Sequence, residues 1–186
     1  MVYCGNGMNN TPTALLATLM LCALLATPVY AADFELLSVS ALIKVGEKRV
    51  LGKVQPESFR EYDVMAAFRM PTNLGLDTRL LVTAGAIRGA GKTAAVAAAI
   101  PAFAITTQDG RFAIDTGLGL ALISEYRFGR QDYGGPLQFA LTLGGNAQLF
   151  EHFGLGYRFL HYSDAGLYGP GSTGADSHMV ELIYRY

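Results

Sequence analysis

The sequence predicts an all-β fold, an eight-stranded antiparallel barrel whose outer wall faces lipid, and three observations lead there. Hydrophobic residues make up 51% of the 186 and charged residues 16%, an apolar balance against the usual proportions. Beyond the first 31 residues no apolar run reaches the roughly 20 residues of a spanning helix. The rest divides into eight alternating segments punctuated by Gly, Pro, Asn and Asp, with 22 Gly and 10 Tyr in the whole chain. A closed barrel is the other structure that pairs every backbone group in hydrocarbon, and eight strands is the bacterial minimum.

The first element is read as a leader rather than as part of the barrel. Thr13 to Ala26 is nearly continuous Leu, Ala, Thr and Met, and Pro28-Val29-Tyr30-Ala31 follows. An apolar core ending in small residues is the pattern of a secretory signal peptide. Cleavage after Ala31 leaves residues 32–186 as one barrel domain. No Lys or Arg precedes the core, and Met8 is an alternative start. An uncleaved anchor is the competing reading, but the run is short for one. Both cysteines, Cys4 and Cys22, fall in this leader, so the mature chain has no disulfide framework and no thiol metal site.

Strands are expected near Phe34–Val45, Phe59–Met70, Leu76–Arg88, Thr93–Thr106, Phe112–Phe128, Leu137–Phe150, Phe153–Ser163 and Asp176–Tyr186. The fourth is Ala-rich, and Ala94 to Ala99 alone would suit a helix, but Pro101 argues against a long one. In the last segment Val180, Leu182, Tyr184 and Tyr186 share one face, and Glu181 and Arg185 share the other. That alternation, apolar outward and polar inward, belongs to a membrane barrel. Its aromatic end resembles the mark read by outer-membrane assembly machinery. A soluble barrel with one wet face is the alternative; the leader and the apolar balance count against it.

Parity carries the reading to a site. Phe153, Leu155, Tyr157 and Phe159 form an aromatic-rich face expected to meet lipid, with Gly154, Gly156 and Arg158 inside. Continuing by twos puts His161 and Ser163 on the lipid face, and counting back from Val180 puts His178 and Asp176 there too. With both termini on the periplasmic side, the seventh strand runs outward. These polar groups then lie at the outer leaflet, where lipopolysaccharide acyl chains meet sugar.

His161-Tyr162-Ser163 sets an imidazole and a hydroxyl two residues apart on one face. A serine becomes a nucleophile when a base takes its proton, and His is the usual base near neutral pH. A carboxylate orients the His, and Asp176 across the hairpin is the candidate. Negative charge developing on an ester oxygen needs donors, which the N–H groups of Ala165 and Gly166 or the Ser172 hydroxyl could supply. His-x-Ser alone is a weak signal, and polar residues solvating a barrel rim is the plain alternative.

Gly156-Tyr157-Arg158-Phe159-Leu160-His161-Tyr162-Ser163-Asp164-Ala165-Gly166 resembles the motif of the outer-membrane lipid A 3-O-deacylases (the PagL type, grouped with acyloxyacyl hydrolases). Tyr133-Gly134-Gly135-Pro136-Leu137-Gln138-Phe139 adds a fainter likeness. The resemblance implies an eight-stranded barrel that hydrolyses the 3-position acyl ester of lipid A by a serine mechanism without a cofactor. His161 would be the base and Ser163 the nucleophile. Three positions depart from the family pattern. Asp164 stands where Asn is usual, and Asp176 stands where Glu is expected, after a loop one residue longer. Ser172 falls near an Asn assigned to the oxyanion site.

Other candidates receive plainer readings. His152 is a turn or rim residue, and His178 is an interfacial polar group or a second base. Glu151, Glu181, Arg158 and Arg185 are expected to form ion pairs within the barrel. No His and carboxylate cluster has metal-ligand spacing. Gly89-Ala90-Gly91-Lys92-Thr93 lacks the full phosphate-loop spacing and suits a hairpin turn. A net charge of −1 gives no case for nucleic acid. The expected partner is lipid A or lipopolysaccharide in outer-membrane lipid. Two further readings stay open: a non-catalytic barrel (structural protein, adhesin or small channel), and a barrel that binds lipid without turnover.

Overall fold

The computed structural model describes residues 34–46, 48–51, 55–72 and 76–186. The expected leader, residues 1–31, lies outside the described residues. Ten strands are present: β1 (Glu35–Gly46), β2 (Arg60–Met70), β3 (Asp77–Gly89), β4 (Lys92–Thr106), β5 (Phe112–Ile123), β6 (Arg127–Phe128), β7 (Gln131–Asp132), β8 (Leu137–Gln148), β9 (Phe153–Ser163) and β10 (Ala175–Arg185). Eight close into an antiparallel barrel in the order β1-β10-β9-β8-β5-β4-β3-β2, and β6 and β7 form a separate two-stranded ribbon.

The wall has the period-2 pattern that the sequence dictates. Val64, Val82, Leu120, Leu122, Leu143, Leu155, Val180 and Leu182 are exposed on the outside. Their chain neighbours point inward: Met65, Leu81, Ala121, Thr142, Gly154 and Glu181 are buried. This is the apolar band of a barrel that faces lipid.

The Ala-rich segment is a strand, and its composition is spatially useful. Ala94, Val96, Ala98, Ile100, Ala102 and Ala104 all point inward and are buried, so one wall of the interior carries mostly small groups. Pro101 is accommodated where glycines bring β5 close. A Cβ on Gly117 would stand 2.4 Å from the Pro101 carbonyl oxygen, and one on Gly119 2.1 Å from that of Ala99.

Larger polar groups from β5, β9 and β10 share this interior. The Arg158 guanidinium makes a two-pronged contact with Asp115 (Nη1 to Oδ1 2.6 Å, Nη2 to Oδ2 3.0 Å) and donates from Nε to Glu181 Oε2 at 3.1 Å. All three side chains are 2% exposed. Thr142 Oγ1 accepts a further bond at 3.1 Å. Room for the guanidinium comes from Gly144, where a Cβ would approach it to 2.6 Å. Arg158 and Glu181 thus pair inside the barrel as expected, with Asp115 as an additional member. The expectation fails for the other two residues. Arg185 donates to Asn146 Oδ1, Gln148 Oε1 and the Gly110 carbonyl. Glu151 sits exposed in the β8–β9 turn.

The fifth strand stops at Ile123, five residues before the expected Phe128. Ser124 ends it by accepting the Ala95 N–H on its hydroxyl (2.9 Å) while its own N–H donates to the Ala95 carbonyl (2.9 Å). The chain then leaves the wall to form β6 and β7. Phe128 packs edge-on to Phe59 (5.2 Å) and Tyr133 (6.2 Å), a small aromatic core above the barrel. The β5–β8 and β9–β10 connections project from the barrel end opposite the strand termini. The connection from β1 to β2 projects from that end too.

Candidate active site

β9 and β10 position the predicted residues. His161 and Asp176 are direct partners in the β9–β10 register, so the pairing of the strands brings the two side chains face to face. His161 Nδ1 lies 2.6 Å from Asp176 Oδ1. The short carboxylate therefore reaches the ring. A carboxylate accepts, so the shared proton sits on Nδ1 and the Nε2 lone pair is free to act as a base. The two side chains are 12% and 3% exposed, which shields their interaction from water and strengthens it.

Ser163 is one step along the same face. A Cβ on Gly174 would stand 3.1 Å from His161 Cε1 and 3.4 Å from Ser163 Cβ, so the imidazole and the serine border the same point. Ser163 Oγ makes no hydrogen bond to a described residue, which leaves the hydroxyl free to turn. The glycine is required there, because the same Cβ would come within 2.7 Å of the Tyr162 carbonyl oxygen.

The second oxygen of Asp176 reveals a contact that sequence reasoning missed. Oδ2 accepts the N–H groups of Val50 (2.5 Å) and Leu51 (2.8 Å) from the β1–β2 connection. With His161 on Oδ1, the carboxylate receives three donors, which fix its orientation. Backbone donors have no residue-type signature, so no sequence motif could have shown this strap.

The same connection settles His178. Its Nε2 lies 2.6 Å from the Lys48 carbonyl oxygen; a carbonyl can only accept, so Nε2 carries the proton. Nδ1 receives the Tyr157 hydroxyl. Both ring nitrogens are engaged, so His178 serves as a structural anchor for the connection and not as a second base. Its ring also packs on Phe159 (5.4 Å). Phe159 is outward by parity yet only 7% exposed, because the His178 ring covers it. His152 is a turn residue, as expected: Nδ1 lies 3.1 Å from the Arg185 carbonyl oxygen and the ring stacks on Tyr184 at 5.6 Å.

The 164–174 connection is tied by Asp164. Its Oδ1 accepts the Gly166 N–H (3.1 Å) and Oδ2 the Tyr168 N–H (3.0 Å). Burial pushes the Asp164 carboxyl up, but bonds from the Tyr168 N–H, the Ser172 hydroxyl and the Gly166 N–H outweigh it and hold it below the ordinary range. Ala165 adopts a left-handed conformation (φ 50°). Of the three expected oxyanion donors, Gly166 N–H is thus occupied, and the single proton of the Ser172 hydroxyl is taken within the loop, by Asp164 or by the Gly169 carbonyl (3.2 Å). The Ala165 N–H makes no hydrogen bond among the described residues.

A neighbouring connection buttresses this loop. The Tyr168 ring lies on Gly134 and Gly135, where a Cβ at 135 would stand 2.3 Å from Tyr168 Cζ. Its hydroxyl accepts the Leu137 N–H (3.2 Å). Buried Gln131 donates to the carbonyls of Thr173 (2.9 Å) and Gly174 (3.2 Å), holding Gly174 against His161. The fainter Tyr133-Gly134-Gly135 likeness has its physical content here, as a flat seat for an aromatic ring.

The model of the family described as lipid A 3-O-deacylase (PagL) matches residues 61–185, about two-thirds of the chain. The chain belongs to the lipid A 3-O-deacylase (PagL) family. Among its relatives, the lipid A deacylase PagL of Pseudomonas aeruginosa is 31% identical over 101 residues, covering 54% of this chain and 57% of that one. The lipid A deacylase PagL of Bordetella bronchiseptica is 34% identical over 90 residues, 48% of each chain. The chain thus spans about half the length of the curated relatives it matches. A crystal structure of the outer membrane enzyme PagL superposes with a TM-score of 0.61 at 22% identity, covering 80% of this chain and 99% of that one. That likeness supports the eight-stranded PagL barrel. The matched segment includes His161, Ser163, Asp164 and Asp176.

Proposed function

We propose that this chain is an outer-membrane serine esterase that removes an ester-linked acyl chain, at the 3-O position, from lipid A in the outer leaflet. The observation that carries the proposal is the His161–Asp176 pair with Ser163 beside it on the outer wall, within a chain of the lipid A 3-O-deacylase family. A site that opens on the outside of a barrel meets membrane lipid before it meets a soluble ester.

The chemistry follows from the atoms available. Ser163 Oγ attacks the acyl carbonyl and its proton passes to His161 Nε2. Asp176, held by the N–H groups of Val50 and Leu51, stabilises the imidazolium through Nδ1–H. The Ala165 N–H, which makes no hydrogen bond among the described residues, is the candidate to donate to the oxyanion. Collapse of the tetrahedral intermediate breaks the ester C–O bond, and His161 returns its proton to the departing sugar hydroxyl. Water, deprotonated by His161, then attacks the acyl-serine and releases the fatty acid. Neither half-reaction uses a cofactor. The end of the barrel bearing the 164–174 connection faces the cell exterior in this reading, and residues 1–31 are removed after Ala31 during export.

The test is lipid A mass from cells expressing the chain. Wild type should remove one hydroxyacyl group, and Ser163→Ala should lower the rate by several orders of magnitude. Identical acylation patterns for the two would refute the proposal. The unbonded Ser163 hydroxyl is the one observation that favours binding without turnover; in that case both proteins would bind lipid A and neither would shorten it.

A further inference from the structure

Two arginines on the outer wall point to a second site. Arg60 on β2 and Arg88 on β3 are direct cross-strand partners. Both are exposed, and their inward neighbours Glu61 and Ile87 are buried, so both guanidinium stems leave the barrel on the lipid side. Like charges directly opposite on one sheet face repel. Neither arginine has an acid partner among the described residues. Other cations at this end do: Lys92 pairs with Glu125 (3.2 Å), Arg127 with Asp132 (3.0 Å) and Arg130 with Glu57 (3.4 Å). Thr93, the β4 partner of Arg88, is also exposed and extends the row with a hydroxyl.

The pair stands at the level of the candidate active site. Gly46 is registered with His178 and Ile43 with Tyr62. Arg60, two residues beyond Tyr62, is therefore nearly level with His178 and one residue pair below Asp176. Exposed Tyr62 lies beneath it on the same face. Asp176 on β10 is separated from the pair by two to three strand spacings, on the order of 10–15 Å. Exposed Lys48 and Arg49 lie on the strap that reaches Asp176 and His178, so positive charge continues toward the site.

We propose that Arg60 and Arg88 form a phosphate-binding subsite that recognises a sugar phosphate of the glycolipid whose acyl ester lies at Ser163. One phosphate between two guanidinium forks removes their repulsion and takes several charge-assisted bonds at once. A phosphorylated disaccharide lying along the wall would present its phosphate to β2 and β3 while its ester reaches β9. The subsite rests on the esterase reading for its second ligand group, but phosphate recognition can be measured without turnover.

The experiment uses the full chain in detergent micelles with two probes, phosphorylated lipid A and the same lipid after enzymatic dephosphorylation. For the Arg60→Gln/Arg88→Gln protein, KM on the phosphorylated lipid should rise roughly tenfold or more. Removing the phosphates should raise KM of the wild type by a similar factor and add little to that of the variant. A variant KM equal to wild type on phosphorylated lipid overturns the subsite. So does an equal loss on both lipids, which would mean a general effect on the wall. Inorganic phosphate should compete only weakly; competition at micromolar concentration would make this a free-phosphate site and overturn the lipid assignment. Binding of both lipids to the Ser163→Ala protein separates the two proposals. Arginine-dependent binding without acyl release by wild type would refute the esterase and keep the subsite. Heat-modifiable migration on gels verifies that each variant has folded.

Discussion

At the scale of single residues, the candidate site depends on a position that does no chemistry itself. Gly174 leaves the space in which His161 and Ser163 meet, and a methyl there would press on the Tyr162 carbonyl oxygen at 2.7 Å and on His161 Cε1 at 3.1 Å. Gly174→Ala should therefore cost tenfold or more in acyl-ester hydrolysis, on the order of the penalty for a small misplacement, while the barrel folds normally. Hydrolysis rate and heat-modifiable migration measured together check this. Asp176 offers a second test. Asparagine in its place turns an amide N–H₂ toward donors from Val50, Leu51 or His161, so Asp176→Asn should lower kcat by about 10²- to 10⁴-fold. The placement of His161, Ser163 and Asp176 together on one outer face was legible in the sequence, because strand parity is enough to place them. Gly174 and the backbone donors of Val50 and Leu51 were not, because a missing side chain and a peptide N–H leave no trace in the pattern of residue types.

At the scale of elements, strands and connections differ in how far sequence reaches. Every barrel strand was anticipated to within a few residues except at the end of β5, where the side chain of Ser124 takes the Ala95 N–H and diverts the chain. Alternation of apolar and polar residues could not predict that local bond, nor the β6–β7 ribbon it permits. The 164–174 connection is a similar case: its motif was visible, but the role of Asp164 was not. Asp164 caps two N–H groups and so shapes the loop, instead of donating to substrate. Its pKa is lowered in the folded loop. The stabilisation is thus fully present above the unfolded-state pKa of aspartate and is lost as pH falls through the lower, folded value. Pepsin cleavage of this connection should therefore begin to accelerate as pH falls through the ordinary Asp range and level off once pH has passed the lower, folded value. Asp164→Asn cannot titrate and should lose that acid-dependent step.

At the scale of the whole molecule, one polar cluster of the barrel interior is organised around a single guanidinium. Arg158 is matched by Asp115 and Glu181 with almost no exposure. Arg158→Met would leave two buried carboxylates without their partner and should destabilise the barrel by about 3–5 kcal/mol in urea unfolding, whereas replacing all three by apolar residues should recover most of the loss. The sequence indicates that Arg158 and Glu181 point inward, but Asp115 lies 43 residues earlier and joins them through the strand register, Asp115 beside Gly144 and Gly144 beside Arg158. Strand parity puts the candidate site outside, so that the polar interior stabilises and the proposed chemistry belongs to the wall. Labelling with an acyl phosphonate ester, followed by peptide mass analysis, tests that division most directly. A covalent adduct should form on Ser163 in wild type and be lost in His161→Ala. An adduct on another residue, or none on Ser163 under conditions where lipid A is shortened, would contradict the account.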